Sequence, residues 1–492
     1  MIRGQDEQET KKKTQSGEIQ NGSLAGKTMW AAIWFLAIPI LIQQILVATV
    51  GLADKMFAGA LPEDIVLPAM DAIGIGSYIG WFISIAVSGV GIGAQALIAR
   101  AMGRGDVEFG QRAVAQSLFL ALIWGIVVAI ALWMLADSIG DVCQLSGQAK
   151  TYLTQYIRIV AIGMPACSIM TTGAMALHGS GDTLRPALVT VVVNIVNVSV
   201  SWGLSGAAMR FGDETYSNPF DFNLHVAGIA IGTSVAYLVG GTLIVAVLLK
   251  GSKDLSLRLR NLAPDFALFW RIAKLGVPNF FEGLSMWAAN LFILQFIGQI
   301  SMQMATKNGS DVPVQGLQGA HVIGVQWESF SFLPGFAIGI AAGTLAGQYL
   351  GAGNEKYARK AVWSCVILAV IFMGSIGIVM MFAGDSLTSF ITQEPMHLAL
   401  VPKLLFIAGV TQIGFAVMMV IRQALKGVGD TTWTFAITSF SSWCIRLPAA
   451  WYLGIHVELG LVGVWYALCG EMLIRAVFFI IRFNQRGWMK SI

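Results

Sequence analysis

The motif ALHGSGDT at residues 176–183 returns as ALKGVGDT at residues 424–431, with six of eight positions identical and an offset of 248 residues. A second pair of segments has the same offset, because RAMGRGDVEFGQRAV at 100–114 corresponds to QYLGAGNEKYARKAV at 348–362. Related segments at one fixed spacing indicate an internal repeat. The chain is therefore expected to contain two structurally related halves.

The composition of the chain is that of a membrane protein. Hydrophobic residues make up 56% and charged residues only 12% of the 492 positions, and the mean hydropathy is +0.71, whereas a soluble domain has about 25% charged residues. Apolar stretches such as 114–136 and 361–383 exceed the roughly 20 residues that a helix needs to cross a bilayer. The alternating pattern of a membrane β-barrel is absent, so these stretches are predicted to be helices.

Apolar length, with Gly, Pro and charged residues at the breaks, predicts an all-α integral membrane protein with twelve transmembrane helices. The predicted helices are 29–58, 70–100, 112–136, 148–178, 184–209 and 224–250 in the first half, and 268–300, 316–348, 358–383, 398–426, 431–454 and 459–483 in the second. Because six is an even number, the halves should enter the membrane in the same orientation, with a binding site at their interface. The expected organisation is a disordered cytosolic tail at 1–28, lobes at 29–250 and 268–483, a cytosolic linker at 251–267 and a cytosolic tail at 484–492.

Charged and reactive residues limit the remaining classes of function. The connection at 250–274 contains six basic residues, Lys250, Lys253, Arg258, Arg260, Arg271 and Lys274, and by the positive-inside bias it should be cytosolic together with both termini. The small net charge of +4 gives no indication of nucleic-acid binding. The five scattered cysteines have no CxxC or metal-ligand spacing, and HExxH, GxSxG and ATPase motifs are missing. We therefore expect the protein to bind no metal or cofactor, and we do not expect it to be an enzyme such as an intramembrane protease.

The two repeated connections, together with Pro39, Asp54 and Gly59 in the first predicted helix, resemble the multidrug and toxic compound extrusion (MATE) family over residues 29–483. The resemblance implies two pseudo-symmetric six-helix lobes and antiport, in which H⁺ or Na⁺ entry drives export of lipophilic or cationic drugs by alternating access. It implies a multi-pass protein of the cell inner membrane, and we expect a monomer whose partners are organic cations and the lipid bilayer. The alternative is a flippase of polysaccharide or lipid-linked precursors, which should have a more basic cavity than the mostly acidic intramembrane charges suggest.

Asp54 is the main candidate for ion or proton coupling. It lies in the run VATVGLADKMFAG at 47–59, and a charge at the bilayer centre costs about 2.5–3.5 kcal/mol on insertion scales. Lys55 projects about 100° away around the helix, so the two do not form a simple facing pair, although a structural ion pair is the alternative. The resemblance assigns the coupling role to the same aspartate.

Asn194 and Asn197 are predicted to hold Asp54. They are three residues apart and share one face of the fifth predicted helix, where amides can bond a carboxylate or a cation. The resemblance matches Asn194 to a family asparagine, but Val198 stands where many relatives have a further Asp or Asn, so Asn197 is expected to substitute. The alternative is that both amides only connect helices.

Glu282 is the corresponding candidate in the second half, for substrate or Na⁺. It lies four residues after Pro278 and resembles the helix 7 glutamate of the NorM-like branch. That branch usually has a helix 10 aspartate four residues after a tyrosine, but Thr411 and Phe415 occupy these positions here. The cation site of the second lobe is therefore expected to be incomplete.

Two further polar residues of the second half remain as site candidates. Gln412 keeps a polar group near the missing aspartate, and Glu328 is an addition to the repeat that corresponds to Gly80 in the first half and could compensate. Arg446 and Glu471 are alternative partners, either as a structural ion pair or as part of a site.

Overall fold

The computed structural model describes residues 19, 22–143, 145–211, 214–216, 218, 220, 222–252 and 255–490. The first half contains α1 (Met29–Gly59), α2 (Glu63–Arg104), α3 (Val107–Val142), α4 (Gly147–Ser180), α5 (Leu184–Ser205) and α6 (His225–Lys250). The second half contains α7 (Phe266–Lys307), α8 (Leu317–Gly351), α9 (Glu355–Phe382), α10 (Pro395–Gly427), the composite helix α11 (431–456) and α12 (Gly460–Asn484).

Helix α11 changes its winding along its length. It is α-helical over Thr431–Phe440 and Leu447–Trp451, and π-helical over Ser441–Arg446 and Tyr452–His456. The other eleven helices are long and apolar enough to cross a membrane, as judged over the described residues. With α11 as the twelfth, the prediction of twelve helices is confirmed.

Several helices are longer than predicted at ends that carry polar residues, and α2 and α7 are two of them. Helix α2 begins at Glu63, directly after Pro62, and places Glu63 and Asp64 in its first turn, where carboxylates interact favourably with the helix dipole. Helix α7 continues to Lys307. The apolar length of a segment therefore gave the membrane span but not the full helix.

Short elements complete the described fold. Strands β1 (Met209–Phe211) and β2 (Glu214–Tyr216) form an antiparallel hairpin that the sequence did not predict. Further short helices are Gly22–Leu24, Leu259–Leu262, Gly384–Ile391 and Gly487–Lys490. Most of the predicted tail at 1–28 lies outside the described residues, so its disorder stays a prediction.

The repeated connection between α2 and α3, and between α8 and α9, has the same local structure in both halves. Gly105 and Gly353 adopt left-handed backbone angles, with φ of 74° and 75°, which glycine reaches without a Cβ clash. The following residues, Asp106 and Asn354, cap the next helix by accepting a hydrogen bond from the backbone N–H three residues on, at 3.0 and 3.1 Å. The shared G-x-G pattern therefore encodes a tight reversal and a helix start.

The chain divides into two compact units. Among the described residues, the amino-terminal unit contains those of 22–25 and 38–280, and the carboxy-terminal unit contains those of 19, 26–37 and 281–490. The boundaries of these units fall inside α1 and α7, whereas the lobe boundaries predicted from the sequence are at the linker 251–267. One reason is that the beginning of α7 contacts α2 backbone to backbone, where a Cβ added to Gly276 would lie 2.7 Å from the carbonyl oxygen of Gly89.

Candidate functional site

Asp54 lies in the interior of the amino-terminal unit. It is on α1 and only 4% exposed. The hydroxyl of Thr233 on α6 and the phenol of Tyr156 on α4 each donate a hydrogen bond to Asp54 Oδ2, at 3.2 Å. Helices α1, α4 and α6 therefore meet at one carboxylate, which is held by neutral donors.

Asn197 belongs to the same group. Its Nδ2 donates to Thr233 Oγ1 at 3.1 Å, its side chain is fully buried, and it interacts with Asp54. Its Oδ1 is buried and has no hydrogen-bond partner among the described residues. Asn197, Thr233 and Asp54 are thus joined by consecutive hydrogen bonds.

Asn194 takes a different position from the one expected. Its Oδ1 accepts a hydrogen bond from Thr49 Oγ1 at 2.8 Å, and its Nδ2 donates to the carbonyl of Thr190 at 3.0 Å. It connects α5 to α1 one turn before Asp54, and no hydrogen bond between it and Asp54 is found among the described residues. Of the two asparagines, the structure brings only Asn197 into the group.

Lys55 and Asp54 separate as their helical spacing predicts. The aspartate is buried and the lysine is exposed, and the described residues include no ion pair between them. Sequence reasoning missed Thr233 and Tyr156 because single hydroxyl groups in apolar helices have no distinctive pattern. The sequence therefore indicated the buried carboxylate but not the residues that donate hydrogen bonds to it.

Glu282 in the carboxy-terminal unit has two basic partners, contrary to the setting expected of a cation ligand. It is fully buried, and Arg422 Nε and Lys426 Nζ lie 2.5 and 3.0 Å from its carboxylate oxygens. Thr434 and Thr438 on α11 donate hydrogen bonds to the same carboxylate, at 3.2 and 3.0 Å. A Na⁺ at Glu282 would have to compete with two side-chain cations.

Sequence reasoning missed both basic partners of Glu282, although a signal was present. Arg422 and Lys426 are four residues apart on α10, so they share one face of that helix. Lys426 lies inside the repeated motif ALKGVGDT, where His178 stands in the first half, and this motif has the composition of a connection between helices although Lys426 belongs to α10. The interior of this unit consequently carries more basic side chains than the sequence predicted, since the predicted intramembrane charges are mostly acidic.

No hydrogen bond or ion pair joins the remaining candidates of the second half to Glu282 among the described residues. Gln412 is buried and its Oε1 accepts a hydrogen bond from Ser331 Oγ at 2.6 Å. Phe415, at the position of the missing aspartate, is in ring contact with Phe332, with centroids 6.4 Å apart. An aromatic contact has therefore replaced the acidic ligand of the NorM-like pattern.

Arg446 and Glu471 form the ion pair that was one of the two alternatives. Arg446 NH2 lies 2.8 Å from Glu471 Oε2, and Arg475 Nε lies 2.7 Å from Oε1. Glu328 on α8 is half-buried and interacts electrostatically with Arg446. No group of His, Cys, Asp and Glu that could hold a metal ion occurs among the described residues.

Comparison with known proteins gives consistent matches over nearly the whole chain. The MatE family model matches residues 39–202 and 287–452. The chain is 27% identical to the probable multidrug resistance protein NorM of Thermotoga maritima, over 92% of each protein. It is 24% identical to the multidrug resistance protein PmpM of Pseudomonas aeruginosa, over 91% of this chain and 89% of that protein.

Solved structures share the fold. A MATE crystal structure in the bent conformation superposes with a TM-score of 0.82 and 20% identity, covering 94% of this chain and 96% of the other. An outward-facing multidrug resistance MATE family transporter of the MOP superfamily gives a TM-score of 0.81 over 94% and 97% of the two chains. The twelve-helix, two-lobe fold predicted from the repeat is thus confirmed. Because the family model spans both halves of this multi-pass membrane protein, the chain belongs to the MatE family and is NorM-like.

Proposed function

We propose that this protein exports lipophilic or cationic small molecules by alternating access, driven by the entry of H⁺ or Na⁺. The observation that carries the proposal is Asp54, a carboxylate buried in a membrane helix with hydroxyl donors and no basic side chain in contact among the described residues. Intramembrane carboxylates of this kind mark ion and proton pathways. The names of the related multidrug resistance proteins support the same activity.

The chemistry of the Asp54 group fits either coupling ion. A proton would neutralise Asp54 directly, while Thr233 and Tyr156 continue to donate hydrogen bonds to it. Na⁺ would find the carboxylate of Asp54 and the hydroxyl oxygen of Thr233, and oxygen ligands of this kind suit hard cations. Either ion removes an uncompensated charge from the membrane interior, which changes the relative stability of two helix arrangements.

A lipid-precursor flippase remains the second candidate, because one observation favours it. The carboxy-terminal unit, where mostly acidic charges were predicted, contains three buried basic side chains, Lys426, Arg446 and Arg475, and the partly buried Arg422. Basic groups could receive an anionic substrate such as a lipid-linked phosphate. Labelled lipid-linked oligosaccharide translocated in preference to cationic dyes would favour this candidate.

Dye efflux from proteoliposomes under separately imposed gradients tests the main proposal. Ethidium should leave liposomes in which the cytosolic side of the protein faces the lumen when a pH gradient or a Na⁺ gradient is applied. It should stay inside when both gradients are collapsed. The same liposomes with protein heated beyond unfolding measure the passive leak. Efflux at the leak rate under both gradients would contradict ion-coupled export.

We further propose that the protein lies in the cell inner membrane with both termini in the cytosol, and that it acts as a monomer without a cofactor. The basic connection at 250–274 carries the prediction of sidedness. With both termini inside, the end of α3 is outside and the end of α6 is inside. Cys143 and Lys250 are exposed residues at these two ends.

Thiol labelling checks this orientation. An impermeant maleimide should label native Cys143 in intact cells, whereas Lys250→Cys, made in a variant without the five native cysteines, should react only after the membrane is permeabilised. Both positions are exposed on the protein, so a difference in their labelling cannot result from burial of one of the thiols. Rapid labelling of Lys250→Cys from outside would reverse the proposed topology.

A further inference from the structure

The beginning of α7, at residues 266–274, has one buried side and one exposed side. Leu268 and Ile272, which are four residues apart, are 4% and 0% exposed. Phe266 and Trp270, which are also four residues apart, are 78% and 71% exposed. Because each residue turns the helix by 100°, the aromatic pair projects from the side opposite to the buried pair. These two aromatic side chains therefore point away from the amino-terminal unit.

Helix α7 is long enough to extend beyond the hydrocarbon core of a bilayer. Its 42 residues correspond to roughly 63 Å at 1.5 Å per residue, whereas the core is about 30 Å thick. Arg271 and Lys274 are exposed charges near its beginning. Residues 266–274 are therefore expected at the level of the lipid head groups, where outward-facing aromatic side chains are favourable.

The connection that precedes α7 is held on α3 by specific contacts. The side-chain amide of Gln116 makes three hydrogen bonds with the backbone of residues 261–265, at 2.5–3.0 Å. The ring of Phe269 on α7 stacks on that of Phe119 on α3, with centroids 5.7 Å apart. Helix α3 and the beginning of α7 thus form one defined surface within the amino-terminal unit.

Two guanidinium groups meet at one aromatic ring on this surface. Arg112 on α3 and Arg271 on α7 lie over the ring of Phe109, at 6.0 and 5.5 Å from its centroid. Lys274 follows Arg271 by about one turn of α7. All three basic side chains are exposed, and the described part of the chain contains no ion pair that neutralises any of them.

The acidic residues of the same segments do not balance these cations. Asp106 and Asp265 accept hydrogen bonds from backbone N–H groups at the beginning of α3 and α7, at 3.0 and 3.1 Å. Glu108 is exposed and forms no ion pair with a residue that the structure describes. The result is a positively charged and partly aromatic patch, the α3–α7 surface, which comprises Phe109, Arg112, Phe266, Trp270, Arg271 and Lys274.

We propose that the α3–α7 surface binds an anionic phospholipid, with its phosphate between Arg112 and Arg271 and its acyl chains against Trp270. Guanidinium groups bind phosphate through paired, charge-assisted hydrogen bonds. The unpaired cations complement the head group and the outward aromatic rings complement the chains, so a soluble anion would use only part of the surface. In the proposed orientation this is the cytosolic leaflet, which contains anionic lipids.

Quenching of Trp270 fluorescence by brominated lipids tests this inference on the full chain in nanodiscs. The Trp270 signal is the difference between the parent and Trp270→Phe. Phosphatidylglycerol brominated near the top of its chains should reach half-maximal quenching at a lower mole fraction than phosphatidylcholine brominated at the same positions. Arg271→Gln should lower this preference about fivefold, the contribution of one basic side chain near an anionic lipid surface. Replacing Arg112, Arg271 and Lys274 together by Gln should make the two lipids quench equally.

Lys360→Gln is the matched control. Lys360 corresponds to Arg112 in the repeat and lies 5.6 Å from the ring centroid of Tyr357, but it is not part of the α3–α7 surface, so the preference should remain. Brominated phosphatidylcholine should quench Trp270 equally in the parent and in each variant that keeps this tryptophan, if the fold is retained. Equal quenching by both lipids in the parent, or a preference that survives the triple replacement, would overturn the proposal. Both leaflets of a nanodisc have the same composition and no transport is measured, so the result depends neither on the orientation nor on export activity.

Discussion

Asp54→Asn should reduce gradient-driven dye export from proteoliposomes to the passive leak rate while the protein remains folded in the membrane. Asparagine has nearly the same volume, and its Oδ1 can still accept the hydrogen bonds of Thr233 and Tyr156. It cannot, however, change charge when an ion enters. Initial efflux rates under imposed pH and Na⁺ gradients, with thermal unfolding of the purified variant, measure the two parts of this prediction.

Two variants serve as controls for Asp54→Asn. Lys55→Gln removes the neighbouring charge, but Lys55 is exposed and lies outside the group, so export should continue at the parent rate. Thr233→Ser keeps the hydroxyl that donates to Asp54 and should also export. If Asp54→Asn itself exported dye under either gradient at the parent rate, Asp54 would have only a structural role.

Glu471→Ala should cause the largest loss of stability. The change leaves the guanidinium groups of Arg446 and Arg475 buried without their carboxylate. Removing one partner of a buried ion pair typically costs about 3–5 kcal/mol of the free energy of unfolding, because the remaining charge is uncompensated. Unfolding by increasing SDS in mixed micelles, followed by tryptophan fluorescence, measures the difference from the parent.

An exposed ion pair provides the matched comparison. Lys307 and Glu458 form a pair whose side chains are 57% and 56% exposed, so Glu458→Ala should cost less than about 1 kcal/mol. Replacing Glu471, Arg446 and Arg475 together by apolar residues of similar volume should recover much of the stability. Equal losses in Glu471→Ala and Glu458→Ala would show that burial does not determine the strength of the Glu471 contacts.

The sequence predicted the architecture because the requirements of a bilayer act on each segment by itself. A membrane helix satisfies its backbone hydrogen bonds internally, so length and apolarity alone located the eleven continuous helices. The repeat then related the halves. The same reasoning did not reveal the π-helical turns of α11, since Ser441–Arg446 contacts side chains of α7 and α12 and has no pattern of its own.

The site was predicted less completely because its contacts join distant parts of the chain. Asp54 stood out as a charge in an apolar run, but its donors Tyr156 and Thr233 are 102 and 179 positions away. Arg422 is 140 positions from Glu282, and it reversed the electrostatic setting expected for that glutamate. Nothing local distinguishes a carboxylate that meets hydroxyl groups from one that meets two cations.

The sequence by itself determined the membrane class, the twelve helices, the duplication and the family, together with the positions of the carboxylates. Tertiary structure alone decided the partner of each carboxylate: neutral donors at Asp54, Arg422 and Lys426 at Glu282, and two arginines at Glu471. The physical reason is that burying an apolar helix depends on its own composition, whereas the energy of a buried charge depends on which side chains the packing of other helices brings within a few ångströms.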